Sequence, residues 1–430
     1  MKYLNQAILG SLVGNIMEFY DFVIYGYLSI YLGKNFFPSD NRTISLLVTF
    51  SVFAGGYLIR PIGSIIFGHI GDVYGRKPAL LYSIGLMSIS TLVMGIIPTY
   101  TQIGIVASII LIILRLLQGL AVSGEQGGVI VYLAEYFRMQ EIGILSALMF
   151  SSVLIGVLLG SLSVVFCQTI LSEHEMVSWG WRIPFYFSAI LGFISFKFRI
   201  NSLESPVFKL SNNIIKQTPI INLAKNHFVN CARMFLLSVS FSVVISFHNT
   251  YLPVFYSNVP GLGLNKGMLV TSLGVLWIGL LSPLVGIISE KIGYIKTVQI
   301  GCLLLLMAGY LLFMLLQDSS IRSIVLAEFI FGIIIALISA PMFAVFIQNF
   351  PPQSRYTGVS LVYNLGMSIF ASLTPLISIT FFNTTGMQFL IGIVLSLSAL
   401  GGLTSLGSIC NIKWKSTALN GEIYDDRTIS

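Results

Sequence analysis

Runs of about 20 apolar residues, the length that crosses a hydrocarbon core of about 30 Å as a helix, recur along the whole chain. Twelve can be counted, at residues 7–31, 45–70, 79–98, 103–136, 142–170, 183–200, 231–256, 268–288, 297–316, 321–350, 355–382 and 387–412. In lipid every backbone N–H and C=O must be satisfied within the protein, so such a chain folds as helices or as a closed barrel. A barrel would show strand alternation with turn signals about every ten residues, and that pattern is absent. Only 9% of residues are charged and 56% are hydrophobic, against about 25% charged in soluble domains. The expected class is an all-α polytopic membrane protein, twelve transmembrane helices in two six-helix pseudo-symmetric bundles.

The net charge of +7 could point to an anionic partner, but its distribution points to topology. With both termini cytoplasmic, the inner connections hold Arg76, Lys77, Arg138, Lys197, Arg199, Lys209, Lys216, Lys225, Arg233, Lys291, Lys296 and Arg355. The outer ones hold only Lys34, Arg42, Arg182, Lys266 and Arg322. This is the positive-inside bias, and it predicts a multi-pass protein of the cell inner membrane. No soluble basic face exists for nucleic acid. Asn15, Glu18 and Asp21 interrupt the first apolar run and no small-residue cleavage site follows, so it is expected to remain as a helix. Cys167, Cys231, Cys302 and Cys410 show no metal or disulfide spacing and read as packing residues. The four histidines, His69, His174, His227 and His248, are scattered, so no enzyme site assembles and neither cofactor nor metal is expected.

Against this apolar background, Glu18 and Asp21 fall inside the first run, and Arg115 and Glu125 inside the fourth. A charge at the centre of a bilayer costs about 2.5–3.5 kcal/mol on insertion scales, so such residues persist where they face a polar interior and one another. Glu18 and Asp21, three residues apart, project from one helical face, extended by Asn15 and Tyr25. Two acids so close disfavour simultaneous ionisation, a requirement for a group that loads and releases a proton. Glu125 follows Arg115 by three helical turns on nearly the stripe of Gln118 and is a second relay candidate; its bland reading is a packing hydrogen bond.

The longest polar stretch, residues 201–230, divides the chain into bundles at 1–200 and 231–412, with a short cytoplasmic tail at 413–430. Gly68, Asp72 and Gly75 recur as Gly286, Glu290 and Gly293 at a constant offset, and Gly143 is echoed by Gly358. Parallel repeats of this kind put a substrate site near the bilayer midplane.

The run Gly68-His69-Ile70-Gly71-Asp72-Val73-Tyr74-Gly75-Arg76-Lys77 resembles the second-to-third-span loop of the major facilitator superfamily in form, position and charge side. Further stretches narrow the resemblance: Gly14 to Phe22, Arg60-Pro61-Ile62-Gly63, Arg115 to Gly119 with Ser123-Gly124-Glu125, Glu135-Tyr136, Trp181 to Phe185, Arg355 to Gly358 and Tyr363 to Gly366. Together they are similar to the metabolite:proton symporter family, which contains proline/betaine, shikimate, citrate and 2-oxoglutarate carriers. Two departures stand out: Ser123 replaces a usual glycine, and the second-half loop, Glu290 to Tyr294, lacks the Gly-Arg-Lys ending. Osmosensing members can carry a coiled-coil extension; residues 413–430 show no heptad pattern, so osmotic regulation through a coiled coil is not expected.

The resemblance implies a monomeric symporter that takes a small-molecule substrate with a proton across the lipid bilayer by alternating access. It implies proton coupling at Asp21, Glu18, Arg115 and Glu125, with Asp21 paired to Arg115. Asp72, Arg76, Glu135 and Glu204 would form a cytoplasmic latch; the alternative is that Arg76 and Lys77 only anchor topology. Candidate substrate-binding residues are Arg60, Tyr25, Gln118, His248, Asn249, Tyr251, Tyr363 and Asn364, with pairing to an acid such as Glu125 the alternative for Arg60. Trp277 reads as packing or as an aromatic cage member, and Glu328 as a solvated helix end. Phe19, Tyr20, Phe22 and Tyr25 would suit a quaternary ammonium group, so a proline/betaine-like zwitterion is the first expectation. A mono- or dicarboxylate is the second, and a transport-fold sensor that binds without transporting is a remote third.

Overall fold

The computed structural model describes residues 2–137, 141–211, 218–257, 263–317, 320–371, 373–374, 389–407, 416–417 and 422–423. Cys410, Arg138, Lys216 and Gln217 lie outside them. The described residues are almost wholly helical, apart from a two-residue antiparallel pair, Ser416–Thr417 with Glu422–Ile423. Nine helices among them are long and apolar enough to cross a membrane, and Tyr294–Gly309 and Gly392–Gly407 are shorter apolar helices.

The chain separates into two compact units, Met1–Leu133 with Ser152–Ile215, and Ala134–Ser151 with Lys216–Ser430. The first contains α1 (Lys2–Tyr27), α2 (Arg42–Leu58), α3 (Arg60–His69), α4 (Arg76–Ile96), α5 (Ile105–Ala134), the later part of α6 (Ile142–Ile170) and α7 (Ile183–Ile200). The second contains the start of α6, then α8 (Phe228–Ser246), α9 (Leu252–Ser257), α10 (Gly263–Ile292), α11 (Tyr294–Gln317), α12 (Ile321–Ser339), α13 (Met342–Asn349), α14 (Arg355–Gly366) and α15 (Phe389–Gly407).

These limits differ from a division at residues 200 and 231, for identifiable reasons. Residues after α7 stay with the first unit because Glu204 binds the start of α4. The start of α6 goes with the second because Glu290 accepts from the Ile144 N–H at 2.8 Å and Ser146 donates to the Ala340 carbonyl at 2.5 Å.

Local sequence explains the breaks. The second run is interrupted at Ile59, where Pro61 removes a donor in the first turn of α3. Glycines with positive φ separate α4 from the π-helical turn Ile70–Tyr74 (Gly75, φ 128°) and α11 from α10 (Gly293, φ 103°). Only glycine adopts these angles without strain, and the two correspond in the repeat read from sequence. In the first unit α1 packs on α7, and α7 on α4. The α1–α6 crossing is set by Gly156 and Gly160: a Cβ at Gly160 would stand 3.0 Å from Val23 Cβ and 3.1 Å from the Tyr20 carbonyl oxygen. Small residues four apart let two membrane helices approach closely where no hydrophobic effect drives them together.

Candidate functional site

The polar centre of the first unit is built by α1, α3, α4, α5 and α7. Asp21 on α1 is buried, with one oxygen accepting from Thr91 on α4 at 2.5 Å and the other from Ser188 on α7. Thr91 also accepts from Gln118 Nε2 on α5 at 2.6 Å, and Gln118 Oε1 accepts from Arg115 Nη1 at 2.9 Å. Asp21 and Arg115 are therefore joined, but not by the direct ion pair expected from sequence. Gln118 and Thr91 stand between them, and every donor points toward Asp21. Such a chain is polarised along its length.

Arg115 and Arg60 are each only 1% exposed. Neither makes an ion pair within 4 Å among the described residues, though Arg60 attracts Glu18 and Arg115 attracts Asp21 across a longer gap; both lie against aromatic rings. The Arg115 guanidinium sits 4.5 Å from the Phe22 and Tyr25 centroids and 4.8 Å from Phe53. Arg60 sits 4.1 Å from Tyr57 and 4.4 Å from Phe22, so Phe22 contacts both cations. Arg115 Nε and Nη2 and Arg60 Nε have no hydrogen-bond acceptor among the described residues. Of the four aromatic residues offered by sequence to a substrate cation, Phe22 and Tyr25 hold the protein's own guanidinium groups, while Tyr20 donates to Ser163.

Glu18 is completely buried, and neither of its oxygens has a hydrogen-bond partner among the described residues. Glu125 is engaged with Arg199 of α7 through two contacts, one of 2.7 Å, and accepts from Ser83 at 3.1 Å. Sequence assigned Arg199 to a cytoplasmic connection and offered Glu125 as a partner for Arg60. The structure instead buries Arg199 in the last turn of its helix, where a topology anchor and an internal ion pair look alike in sequence. Gly14 makes this pair possible: a Cβ there would lie 2.5 Å from Arg199 Nη2 and 2.7 Å from Glu125 Oε1.

Three of the four latch candidates meet in the first unit. Asp72 pairs with Arg76 at 3.2 Å, Arg76 donates to the Gly71 carbonyl at 2.7 Å, and its guanidinium lies 5.2 Å from the Phe208 ring. Glu204 accepts the Arg76 and Lys77 backbone N–H groups at 3.1 and 3.2 Å, the favourable position for an anion at a helix N-terminus. Burial pushes the Glu204 carboxyl above its ordinary range, against the pull of the Ser205 and Lys77 N–H groups and of Arg76. Glu135 belongs to the second unit and pairs with Arg355 at 3.5 Å.

In the second unit, His248 is buried in a π-helical turn, Phe247–Tyr251, while Asn249 is exposed. Tyr251 stacks on Phe247, centroids 5.1 Å apart. Tyr363 lies between Phe241 and Phe343, and Asn364 donates to the Ser360 carbonyl at 2.8 Å. Trp277 stacks on Phe329 at 4.4 Å. Glu328 is not a solvated helix end: it is buried, bonded to His248 at 2.9 Å and to Tyr256 at 2.7 Å. Sequence reasoning also passed over Thr91, Ser188 and Ser83, since membrane-helix hydroxyls usually bond their own backbone and carry no signal of a distant partner.

The sequence matches the Major Facilitator Superfamily over residues 10–375. A Staphylococcus aureus (strain COL) protein provisionally named a proline/betaine transporter is 34% identical over 395 residues, spanning 90% of this chain and 84% of that protein. The glycine betaine/proline/ectoine/pipecolic acid transporter OusA of Dickeya dadantii is 30% identical, spanning 87% and 77%. Among solved structures, the proton:xylose symporter XylE bound to 6-bromo-6-deoxy-D-glucose superposes with a TM-score of 0.75 over 94% of both chains, at 14% identity. That last likeness is one of fold.

Proposed function

Since the chain belongs to the major facilitator superfamily and is a multi-pass transporter of a small molecule, we propose that it is a proton-coupled symporter importing a small proline/betaine-like zwitterion by alternating access. The names of its relatives support the substrate class. The observation that carries the reading is the buried Asp21, tied by a one-way hydrogen-bond chain to a guanidinium with unused donors.

While Asp21 is ionised it accepts from Thr91 and Ser188, and the chain holds Arg115 through Gln118. A proton on Asp21 turns that carboxyl into a donor. It also removes the negative charge toward which Thr91 and Gln118 donate, Gln118 directly to Asp21 Oδ2 at 3.4 Å as well as through Thr91, so both bonds weaken and the grip of Gln118 on Arg115 loosens. A substrate carboxylate fits the free N–H groups of Arg115 and Arg60, since guanidinium–carboxylate bonds are charge-assisted and directional. Proton and substrate thereby favour one another through Gln118. Glu18, neither of whose oxygens has a hydrogen-bond partner among the described residues, is the second proton carrier of this scheme; Glu125, held by Arg199, serves the fold. A proton moving inward across the inner membrane brings about 2.3 kcal/mol per 100 mV, enough to concentrate a neutral zwitterion roughly tenfold or more.

A second reading, uptake of a mono- or dicarboxylate, is favoured by the two adjacent buried arginines. One experiment separates them: purified protein in proteoliposomes under an imposed proton gradient, offered labelled glycine betaine, proline, 2-oxoglutarate or citrate. Uncoupler-sensitive accumulation of the zwitterions, lost in Asp21→Asn, supports the first reading. Accumulation of the acids alone replaces it with the second, and binding without accumulation removes transport.

A further inference from the structure

The chemistry assigned to the first unit leaves unused a buried titratable cluster in the second. We propose that His248, Glu328 and Tyr256 form a second proton-binding site, contained within the second unit, at which one proton is held between imidazole and carboxylate.

Hydrogen-bond parity carries the argument. His248 Nδ1 lies 2.8 Å from Asn249 Oδ1. With the Asn249 amide oriented carbonyl toward the ring, Nδ1 carries a hydrogen. Nε2 lies 2.9 Å from Glu328 Oε2. An imidazole lone pair facing a carboxylate oxygen would be two acceptors in contact, so a further proton lies between them. It is either on Nε2, giving an imidazolium beside a carboxylate, or on Oε2, giving a neutral pair. Both forms have zero net charge and differ by the movement of one hydrogen. Tyr256 donates to the remaining oxygen at 2.7 Å, which steadies the carboxylate after the proton leaves. Release breaks the N–H or O–H bond, sends H⁺ to water, and leaves a single negative charge on Glu328.

The surroundings are built around this pair. His248 and Tyr256 are 0% exposed and Glu328 is 5% exposed. Gly274 on α10 gives the space: a Cβ there would lie 3.0 Å from His248 Nε2 and would collide with Glu328 Oε2. Phe331 packs on the imidazole with centroids 5.9 Å apart. Beside Glu328 and Tyr256 is a cavity of about 10 Å³, lined otherwise by apolar side chains such as Phe247, Leu252, Leu312 and Leu395. That size admits about one water molecule. Among the described residues, α10 contributes Gly274, α11 Gly309 and Leu312, α12 Ala327 and Phe331, and α15 Leu395; Tyr256 is the one further titratable group facing the pair. Asn249, bonded to the same imidazole, is exposed and gives the cluster a polar outlet.

The site is tested without a transport substrate, so its failure is distinguishable from failure of the proposed transport. Infrared difference spectra between neutral and alkaline pH are recorded on the full chain reconstituted in vesicles. A paired histidine–carboxyl change is expected in wild type and in Asp21→Asn, and it is lost together in His248→Gln and in Glu328→Gln. Tyr256→Phe, a milder change, is expected to keep the step and move it to higher pH, because the carboxylate loses a donor. Wild-type and Glu328→Gln spectra that superimpose would overturn the proposal. So would a carboxyl change that survives His248→Gln, because the two groups would then titrate separately. Should both glutamine variants fail to fold, a Tyr256→Phe step at the wild-type pH would also overturn it.

Discussion

At the scale of single residues, an amide holds the first unit's charges together and an ion pair braces its helices. Gln118 accepts from Arg115 and donates to Thr91, and through Thr91 reaches Asp21. Replacing it by leucine, which is apolar and of similar size, removes a hydrogen bond to a charged group, an effect of about 1.5–3 kcal/mol. Gln118→Leu is therefore expected to reduce proton-driven uptake about tenfold or more while leaving the protein folded; wild-type uptake by this variant would break the link drawn between Asp21 and Arg115. The Glu125–Arg199 pair behaves differently. Removing one member strands the other charge in a dry interior, which costs about 3–5 kcal/mol. Glu125→Ala should lower thermal stability strongly, and Glu125→Ala with Arg199→Ala should recover much of the loss, since no orphaned charge remains. If the double variant is as unstable as the single one, the pair's role in the fold is misassigned.

At the scale of elements, the junction between α3 and α4 shows how one glycine joins backbone angle to charge placement. Gly75 has φ 128°, and a Cβ on it would collide with Glu204 Oε2, which caps α4. Gly75→Ala thus combines backbone strain of about 1–3 kcal/mol with displacement of the capping carboxylate. A lowered melting temperature in detergent is expected, and an unchanged one would contradict the cap. Glu204 also gives the junction a pH dependence. Its folded pKa is raised by burial, so the folded chain binds more protons than the unfolded chain between the ordinary glutamate range and the raised value. Stability from this group falls as pH rises through that window. The comparison is wild type against Glu204→Gln: their difference in melting temperature should change across the window and be constant above it. A difference that is flat throughout would remove the shift.

At the scale of the whole molecule, the Asp72–Arg76 pair is proposed to act in conformational control rather than in recognition. Asp72 lies within the π-helical turn and Arg76 at the start of α4, apart from the Arg60–Arg115 cluster in sequence and in bonding. Asp72→Asn is expected to change the rate at which bound substrate exchanges across the membrane and to leave the ranking of substrates unaltered. A changed selectivity profile in counterflow would place it in the binding site instead. The helical membrane class, the repeat and the superfamily were legible in the sequence because each rests on a periodic or local property: apolar run length, basic residues on one side, and a glycine-rich loop whose positive-φ positions recur as Gly75 and Gly293. The buried residues Asp21, Arg115, Arg60 and His248 could also be singled out, since a polar side chain inside an apolar run is visible without a fold. Their partners could not. That Arg115 reaches Asp21 through Gln118, that Glu125 takes Arg199, and that Glu328 turns inward to His248 are decided by which helix faces meet. A charge near the end of a span has the same local sequence whether it snorkels to water or is paired inside. Only the packing of neighbouring helices fixes which state has its hydrogen bonds satisfied.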